Sequence, residues 1–90
     1  MSKALTYDKG NDFYKVLGVS HSEEDKKIKV AYYKLAQKYH PDKIDSSASE
    51  AEKTKFEEKF KNISQAYDIL KDEATRKQYD ALRHQALHGP

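Results

Sequence analysis

The sequence predicts an all-α domain of four helices, and three observations lead to this expectation. Ninety residues suffice for one small domain with a single core. Only three glycines and two prolines interrupt the chain, and lysine, alanine, glutamate and glutamine, which favour helices, are abundant. Apolar residues recur at intervals of three and four, which is the period of a helix with one buried side.

The first predicted helix is short and covers residues 13–17. Asp12 can cap its start by accepting hydrogen bonds from unpaired backbone N–H groups. Gly18 can end it, because glycine adopts the left-handed backbone conformation without steric cost. Residues 1–11 precede this pattern and are expected to form a flexible N-terminal segment, in which Tyr7 has no assignable role.

The second helix is predicted to begin after Ser22, which approximates a capping box with Asp25 three residues later. Pro41 disfavours helical backbone at the residue before it, so this helix should end just before His40. Its apolar positions follow the helical period. They are Ile28, Ala31, Tyr32, Leu35, Ala36 and Tyr39.

A polar loop over residues 44–49 leads into a long third helix, for which Ser49 and Glu52 form a possible capping box. Its apolar residues are spaced alternately by four and three, which is typical of helices packed side by side. They are Phe56, Phe60, Ile63, Tyr67 and Leu70. The second and third helices are therefore expected to form a long antiparallel hairpin.

A short fourth helix is expected over about residues 73–83, capped by Asp72, so that the folded domain covers residues 12–83. Residues 84–90 lose the periodicity and are expected to fray as a C-terminal tail. His84 and His88 in this tail have a spacing that can chelate a metal on a helix, but two solvated side chains are the favoured interpretation because no third ligand is near. No metal site and no cofactor are expected.

Positive charge is concentrated in one segment, although 17 basic and 15 acidic residues leave a net charge of only +2. Residues 26–43 hold six lysines and a single carboxylate. A helical projection places four residues of the second helix opposite its core side, with lysines flanking them. These four are Lys26, Val30, Tyr33 and Gln37. This face is interpreted as a cationic docking surface, or alternatively as a solvated face that keeps the domain soluble.

The tripeptide His40-Pro41-Asp42 follows the second helix directly. Pro41 fixes the backbone at this corner, between an imidazole that can donate or accept a hydrogen bond and a carboxylate that can pair with an arginine of a partner. Taken alone, the tripeptide favours a structural role, because histidine is favourable at a helix C-terminus and Pro-Asp is common in loops.

Four segments, in this order, resemble the J domain of DnaJ-like co-chaperones. They are DFYKVLGV at 12–19, IKVAYYKLAQKYHPDK at 28–43, FKNISQAYDIL at 60–70 and RKQYD at 76–80. The resemblance implies the four-helix J-domain fold. It also implies a co-chaperone module that binds the ATP-bound form of a heat-shock ATPase chaperone of the seventy-kilodalton class, stimulates its ATP hydrolysis and promotes client folding, without being an enzyme itself.

When the site residues of the family are carried over by position, the resemblance implies a partner-binding site and no catalytic residue in this chain. The residues carried over are His40, Pro41, Asp42, Lys29, Lys34 and Lys43, and the exposed face of the second helix adds Lys38 and Tyr33 to the expected site. Arg76, within the RKQYD segment, could equally form a structural ion pair. The sequence departs from the family pattern at Val30 and Tyr33, where lysine or arginine is common, and at Ile44, where asparagine is usual.

Two other classes of function are disfavoured. A nucleic-acid-binding bundle is disfavoured because no arginine-rich arm joins the lysines. An enzyme is disfavoured because no nucleophile, Gly-rich phosphate loop or His-Glu metal motif accompanies the tripeptide. The chain has no cysteine and no apolar run long enough to span a bilayer, so a monomeric protein of the cytoplasm or nucleus, without a membrane partner, is expected.

Overall fold

A computed structural model describes residues 5–89 of the chain. These residues form four α-helices and no strand: α1 (Phe13–Leu17), α2 (Asp25–Lys38), α3 (Glu50–Leu70) and α4 (Glu73–His88). Two short 3₁₀ turns, Lys9–Asn11 and Pro41–Lys43, precede α1 and follow α2. The predicted all-α fold is confirmed for this part of the chain. Within it, each helix is too short or too polar to cross a lipid bilayer.

The helices α2 and α3 pack against each other as the predicted antiparallel hairpin. Tyr32 of α2 stacks on Tyr67 of α3 with 4.3 Å between ring centroids. Further along α2, Tyr39 meets Phe56 edge-on at 5.3 Å. Residues nearer the end of α2 contact residues nearer the start of α3, so the two helices run in opposite directions.

The core lies where α1 and α4 pack onto this hairpin. Tyr79 of α4 stacks on Phe13 of α1 with 4.7 Å between ring centroids. The fully buried apolar residues come from all four helices. They are Phe13, Tyr14, Leu17, Ile28, Ile63, Ala66, Leu70 and Tyr79. Because an isolated helix of five residues is not stable in water, α1 owes its structure to these tertiary contacts.

The ends of α1 and the start of α3 follow the sequence prediction. The Asp12 carboxylate accepts hydrogen bonds from the backbone N–H groups of Tyr14 and Lys15, and Gly18 has the left-handed backbone conformation with φ 69°. The Ser49 hydroxyl accepts a hydrogen bond from the Glu52 N–H at 3.2 Å. Local capping chemistry therefore places these boundaries.

Asp12 also forms a polar network that the sequence analysis did not anticipate. Its carboxylate is buried and accepts hydrogen bonds from the Arg83 Nε at 2.9 Å and the Tyr7 hydroxyl at 2.7 Å. Burial alone would raise the pKa of Asp12, but the hydrogen bonds from Tyr7 and Arg83 outweigh it and leave that pKa below its ordinary value. The carboxylate is therefore ionised at neutral pH.

Two residues of the N-terminal segment contact the folded domain. Besides its hydrogen bond to Asp12, Tyr7 lies edge-on to Tyr79 with 5.6 Å between ring centroids, and Leu5 packs against the core. The sequence analysis had given Tyr7 no role. Residues 1–4 of that segment and residue 90 of the predicted tail lie outside the described residues.

The predicted capping box at the start of α2 is wrong. The helix begins at Asp25 without a side-chain cap, and the Ser22 hydroxyl contacts the Ser20 hydroxyl at 3.0 Å instead. Arg76 of α4 holds this region, because its guanidinium donates to the Glu23 carbonyl and to the Asp25 carboxylate, each at 2.8 Å. The alternative noted for Arg76, a structural ion pair, is the one that the structure contains.

Helix α4 extends five residues beyond its predicted end. Residues 84–88, which were expected to fray, form its last turn, so that α4 has 16 residues. The five side chains of this turn are exposed, and a turn without a buried side carries no hydrophobic period for sequence analysis to detect. No helix breaker occurs before Gly89, however, so the helical backbone continues.

Removing the Asp12 carboxylate should destabilise the domain. We expect Asp12→Ala to lower the free energy of unfolding by roughly 2–3 kcal/mol, because α1 loses its cap and Arg83 and Tyr7 lose their shared acceptor. Urea unfolding followed by circular dichroism at neutral pH measures this loss. Asp8→Ala is the matched control, since Asp8 caps only the exposed 3₁₀ turn, and equal losses in the two variants would contradict the prediction.

High pH should destabilise the domain through two buried tyrosines. Burial, and then the hydrogen bond to Asp80, raise the pKa of Tyr14 to about 12, and burial raises the pKa of Tyr79 to about 12. An unfolded tyrosine titrates near pH 10, so the folded state holds both protons longer. Their stabilisation is present in full below about pH 10 and is lost as the pH rises through about 12.

We therefore expect the free energy of unfolding to fall by roughly 2–5 kcal/mol between about pH 10 and pH 12. Urea titrations across this range measure the fall. The fall in the free energy of unfolding should be smaller in Tyr79→Phe, because this variant has one fewer tyrosine with a raised pKa. It should be unchanged in Tyr33→Phe, because Tyr33 is half-exposed in the unmodified domain. An identical fall in Tyr79→Phe and the unmodified domain would show that the buried hydroxyl does not contribute.

Candidate partner-binding site

The His40-Pro41-Asp42 tripeptide forms a rigid corner between α2 and the following loop. Helix α2 ends at Lys38, as predicted, and His40 is extended with φ −60° and ψ 137°. Pro41 is the first residue of the 3₁₀ turn Pro41–Lys43. At this position a backbone N–H would have no hydrogen-bond partner within the turn, so proline, which lacks the N–H, fits without loss. The Lys43 N–H then donates to the His40 carbonyl at 2.8 Å and closes the turn.

Two contacts fix the imidazole of His40. Its Nδ1 accepts a hydrogen bond from the Asp42 N–H at 3.1 Å, and its ring lies edge-on to Phe60 of α3 with 5.7 Å between ring centroids. With Nδ1 as acceptor of this hydrogen bond, Nε2 is the ring nitrogen left to donate. The Nδ1 atom also lies 3.6 Å from the Asp42 carboxylate.

The carboxylate of Asp42 is presented to solvent, with 90% of its side chain exposed. Its backbone is held in the turn even though Ile44 replaces the usual asparagine. Asp45 caps the loop instead, because its carboxylate accepts a hydrogen bond from the Ser47 N–H at 3.0 Å, which lowers the pKa of Asp45. The corner thus offers an exposed carboxylate, carried on a fixed turn, next to an oriented imidazole.

The outer face of α2 combines positive charge with exposed apolar surface. The four lysines predicted for the site are all exposed, and none forms an ion pair with an acidic residue within residues 5–89. They are Lys29, Lys34, Lys38 and Lys43. Val30 and Tyr33 lie among these lysines, and the exposed fraction of each is 51%. The Lys29 Nζ lies 5.8 Å from the centroid of the Tyr33 ring. Tyr32, assigned mainly to the core, stacks on α3 as described above.

The residues of the predicted site form a broad strip that covers the outer half of α2 and the turn after it. His40, Pro41, Asp42 and Lys43 occupy that turn, and Lys38 is the last residue of α2. With a helical rise of about 1.5 Å per residue, Lys29 lies about 14 Å further along the helix axis from Lys38. At about 100° per residue, these two lysines lie at opposite edges of the strip.

Two residues of α3 contribute to this site and were missed by the sequence analysis. Phe60 was assigned to packing alone, yet it also orients the His40 ring. Lys59 places its Nζ 5.2 Å from the centroid of the Tyr39 ring, which Lys38 approaches from α2 at 5.3 Å. The sequence carries no local signal for these contacts, because they depend on the register of α3 against α2.

Comparisons with known proteins agree with this geometry. The family model described as DnaJ domain matches residues 12–80. The chaperone protein DnaJ of Fusobacterium nucleatum subsp. nucleatum is 52% identical over 76 residues, which cover 84% of this chain and 19% of that protein. The chaperone protein DnaJ of Nitrosomonas europaea is 47% identical over 79 residues, covering 88% of this chain and 20% of that protein.

A solved structure has the same fold. The solution structure of the J domain of a mouse DnaJ-like protein matches with a TM-score of 0.75 at 32% identity, covering 90% of this chain and 88% of that one. The chain spans about a fifth of the length of the curated relatives it matches. Sequence, family model and fold coincide over most of its length, and the chain therefore belongs to the DnaJ domain family.

Proposed function

We propose that this domain is a co-chaperone module. It binds the ATP-bound form of a heat-shock ATPase chaperone of the seventy-kilodalton class, stimulates ATP hydrolysis by that chaperone, and so promotes the folding of client proteins. The observation that carries the proposal is the fixed His40-Pro41-Asp42 corner at the end of a cationic helix, in a chain of the DnaJ domain family. The domain acts as an activator, and the hydrolysis chemistry belongs to its partner.

The geometry of the corner suits the recognition of a charged group on the partner. The Asp42 carboxylate can accept two parallel hydrogen bonds from an arginine, and the His40 Nε2–H can donate to a nearby carbonyl or carboxylate. Because the 3₁₀ turn already holds both residues, binding costs little ordering of the backbone. These two side chains are the proposed signal to the ATPase.

An activator of this kind must bind the hydrolysis-competent state of its partner more tightly than the resting state. A tenfold stimulation requires a difference of about 1.4 kcal/mol between the two states. One hydrogen bond to a charged group contributes about 1.5–3 kcal/mol. A single arginine that reaches Asp42 in only one state of the partner therefore supplies enough free energy for a tenfold effect.

The lysines and the exposed aromatic residue of α2 have a different part in this proposal. Unpaired lysines raise the rate of encounter with an acidic surface, and their effect weakens as salt screens the charges. Tyr33 is an aromatic residue of the type that anchors protein interfaces. We infer a weak, transient complex in which α2 steers the encounter and the corner delivers the signal.

The proposal also covers the setting of the domain. We infer that it acts as a monomer in the cytoplasm, without a cofactor. Bacterial cells have no nucleus, so relatives from Fusobacterium nucleatum and Nitrosomonas europaea give no support to the nuclear alternative. Activities of the much longer relatives that reside outside the matched fifth of their length are not carried over to this chain.

His40→Gln should abolish stimulation without unfolding the domain. Single-turnover ATP hydrolysis by a bacterial chaperone of the seventy-kilodalton class, with and without the domain, measures the effect. We expect at least about tenfold stimulation by the unmodified domain and none by His40→Gln, because glutamine cannot reproduce the oriented imidazole donor. His21→Gln, which alters an exposed histidine outside the site, should stimulate normally.

Circular dichroism must show that both variants are as helical as the unmodified domain. Equal stimulation by His40→Gln and His21→Gln would exclude His40 from the signal. Failure of the unmodified domain to stimulate any of several chaperones of this class would reject the proposed function while leaving the fold intact.

Charge reversal on α2 should weaken binding and reduce its dependence on salt. We expect Lys29→Glu combined with Lys34→Glu to lower the affinity for the ATP-bound chaperone at least about tenfold at low salt. Raising sodium chloride from about 50 to about 300 mM should weaken the unmodified complex severalfold and the variant complex less. Binding measured by fluorescence anisotropy tests both effects. Lys77→Glu on α4 is the control, and an affinity independent of salt would contradict the steering role.

A further inference from the structure

Two histidines face each other at the exposed end of α4. His84 and His88 lie one helical turn apart, and both side chains are exposed. Their ring centroids are 4.8 Å apart, with an angle of 37° between the ring planes. Residues separated by four positions in a helix are neighbours on one face, so the helical backbone through His88 holds the two imidazoles side by side.

The separation of the rings fits a shared metal ion. Metal ions of the zinc class bind imidazole nitrogen at about 2.0–2.1 Å. With both rings bonded to one ion at an N–metal–N angle between about 90° and 110°, the ring centroids lie about 4.5 to 5.2 Å apart. The observed 4.8 Å falls within this range. The i, i+4 spacing and the separation of the ring centroids thus suit chelation on the helical backbone as it stands.

We propose that His84 and His88 together chelate a divalent transition-metal ion that favours imidazole ligands, namely Cu²⁺, Ni²⁺ or Zn²⁺, with water completing the coordination. Affinity should be highest for Cu²⁺, following the general order of these ions. This inference is independent of the proposed co-chaperone function, because neither histidine belongs to the partner-binding strip on α2.

The electrostatic surroundings favour a cation at this position. The C-terminal end of a helix carries a partial negative charge from its unpaired carbonyl groups. Arg83, the neighbouring cation in the sequence, donates its Nε–H to the buried Asp12 carboxylate at 2.9 Å and is only 20% exposed. Its charge is therefore largely neutralised by Asp12, as that of Asp80, one turn before His84, is offset by Arg76.

The chemistry of the site is binding rather than hydrolysis. The segment His84-Gln85-Ala86-Leu87-His88 has the spacing of a zinc-protease motif, but Gln85 stands where such enzymes carry the glutamate that acts as general base. Within residues 5–89 no group of three or more metal-ligating side chains of the His, Cys, Asp or Glu type occurs. A two-histidine site of this kind would link the last two turns of α4 and stabilise the helix end.

Nuclear magnetic resonance with the complete domain tests the proposal, using Cu²⁺ or Ni²⁺ at substoichiometric amounts near pH 7.5. The chain has four histidines, so His21 and His40 serve as internal controls. We expect selective broadening of the imidazole signals of His84 and His88. Calorimetric titration with Ni²⁺ should show one ion per chain, and Mg²⁺, which prefers oxygen ligands, should not bind at the same concentration.

Two kinds of variant separate chelation from adventitious binding. His84→Ala and His88→Ala should each lower the Ni²⁺ affinity at least about tenfold, since even the loss of an outer-shell group commonly costs that much. Ala86→His combined with His88→Ala keeps four histidines but places two of them on opposite faces of α4, and it should bind as weakly as His88→Ala. Parallel broadening of all four histidines, or unchanged affinity in these variants, would overturn the proposal.

Discussion

The buried carboxylate of Asp12 is the interaction on which the rest of the structure depends. It caps α1, accepts a hydrogen bond from Arg83 of α4 and another from Tyr7 of the N-terminal segment. Helix α1 is too short to form alone, and the Asp12 carboxylate joins it to α4 beside the stacked rings of Phe13 and Tyr79. Once α1 is fixed, Phe13 and its neighbours close the core against the hairpin of α2 and α3.

This arrangement divides α2 into a structural side and a free side. Ile28 and Tyr32 pack in or against the core, whereas the opposite side carries exposed lysines, of which Lys29, Lys34 and Lys38 have no acidic partner within residues 5–89. The helical period alone produces this division. The antiparallel direction of α3 then brings Phe60 beside His40, so the same hairpin that forms the core also orients the corner proposed to act on the partner.

The features predicted from the sequence were those that depend on neighbouring residues. Gly18 and Ser49 mark helix ends through local capping, and the apolar period gives the hairpin and the exposed side of α2. The start of α2 was wrong because Arg76, 51 residues away from Asp25, holds it. The contacts of Phe60 and Lys59 at the site were missed for the same reason, since no local pattern encodes the register between two helices.

The RKQYD segment has a structural role in the fold, and in this respect it differs from the His40-Pro41-Asp42 tripeptide. Arg76 and Asp80 contact the hydroxyl of Tyr14, and the hydroxyl of Tyr79 accepts the Phe13 N–H at 2.9 Å, so three of its five residues bind α1. The tripeptide instead projects a carboxylate that is 90% exposed and supports no core contact. Substitutions of Arg76, Tyr79 or Asp80 therefore act through stability, whereas an exposed side chain such as Asp42 is free to be optimised for a partner at little cost to the fold.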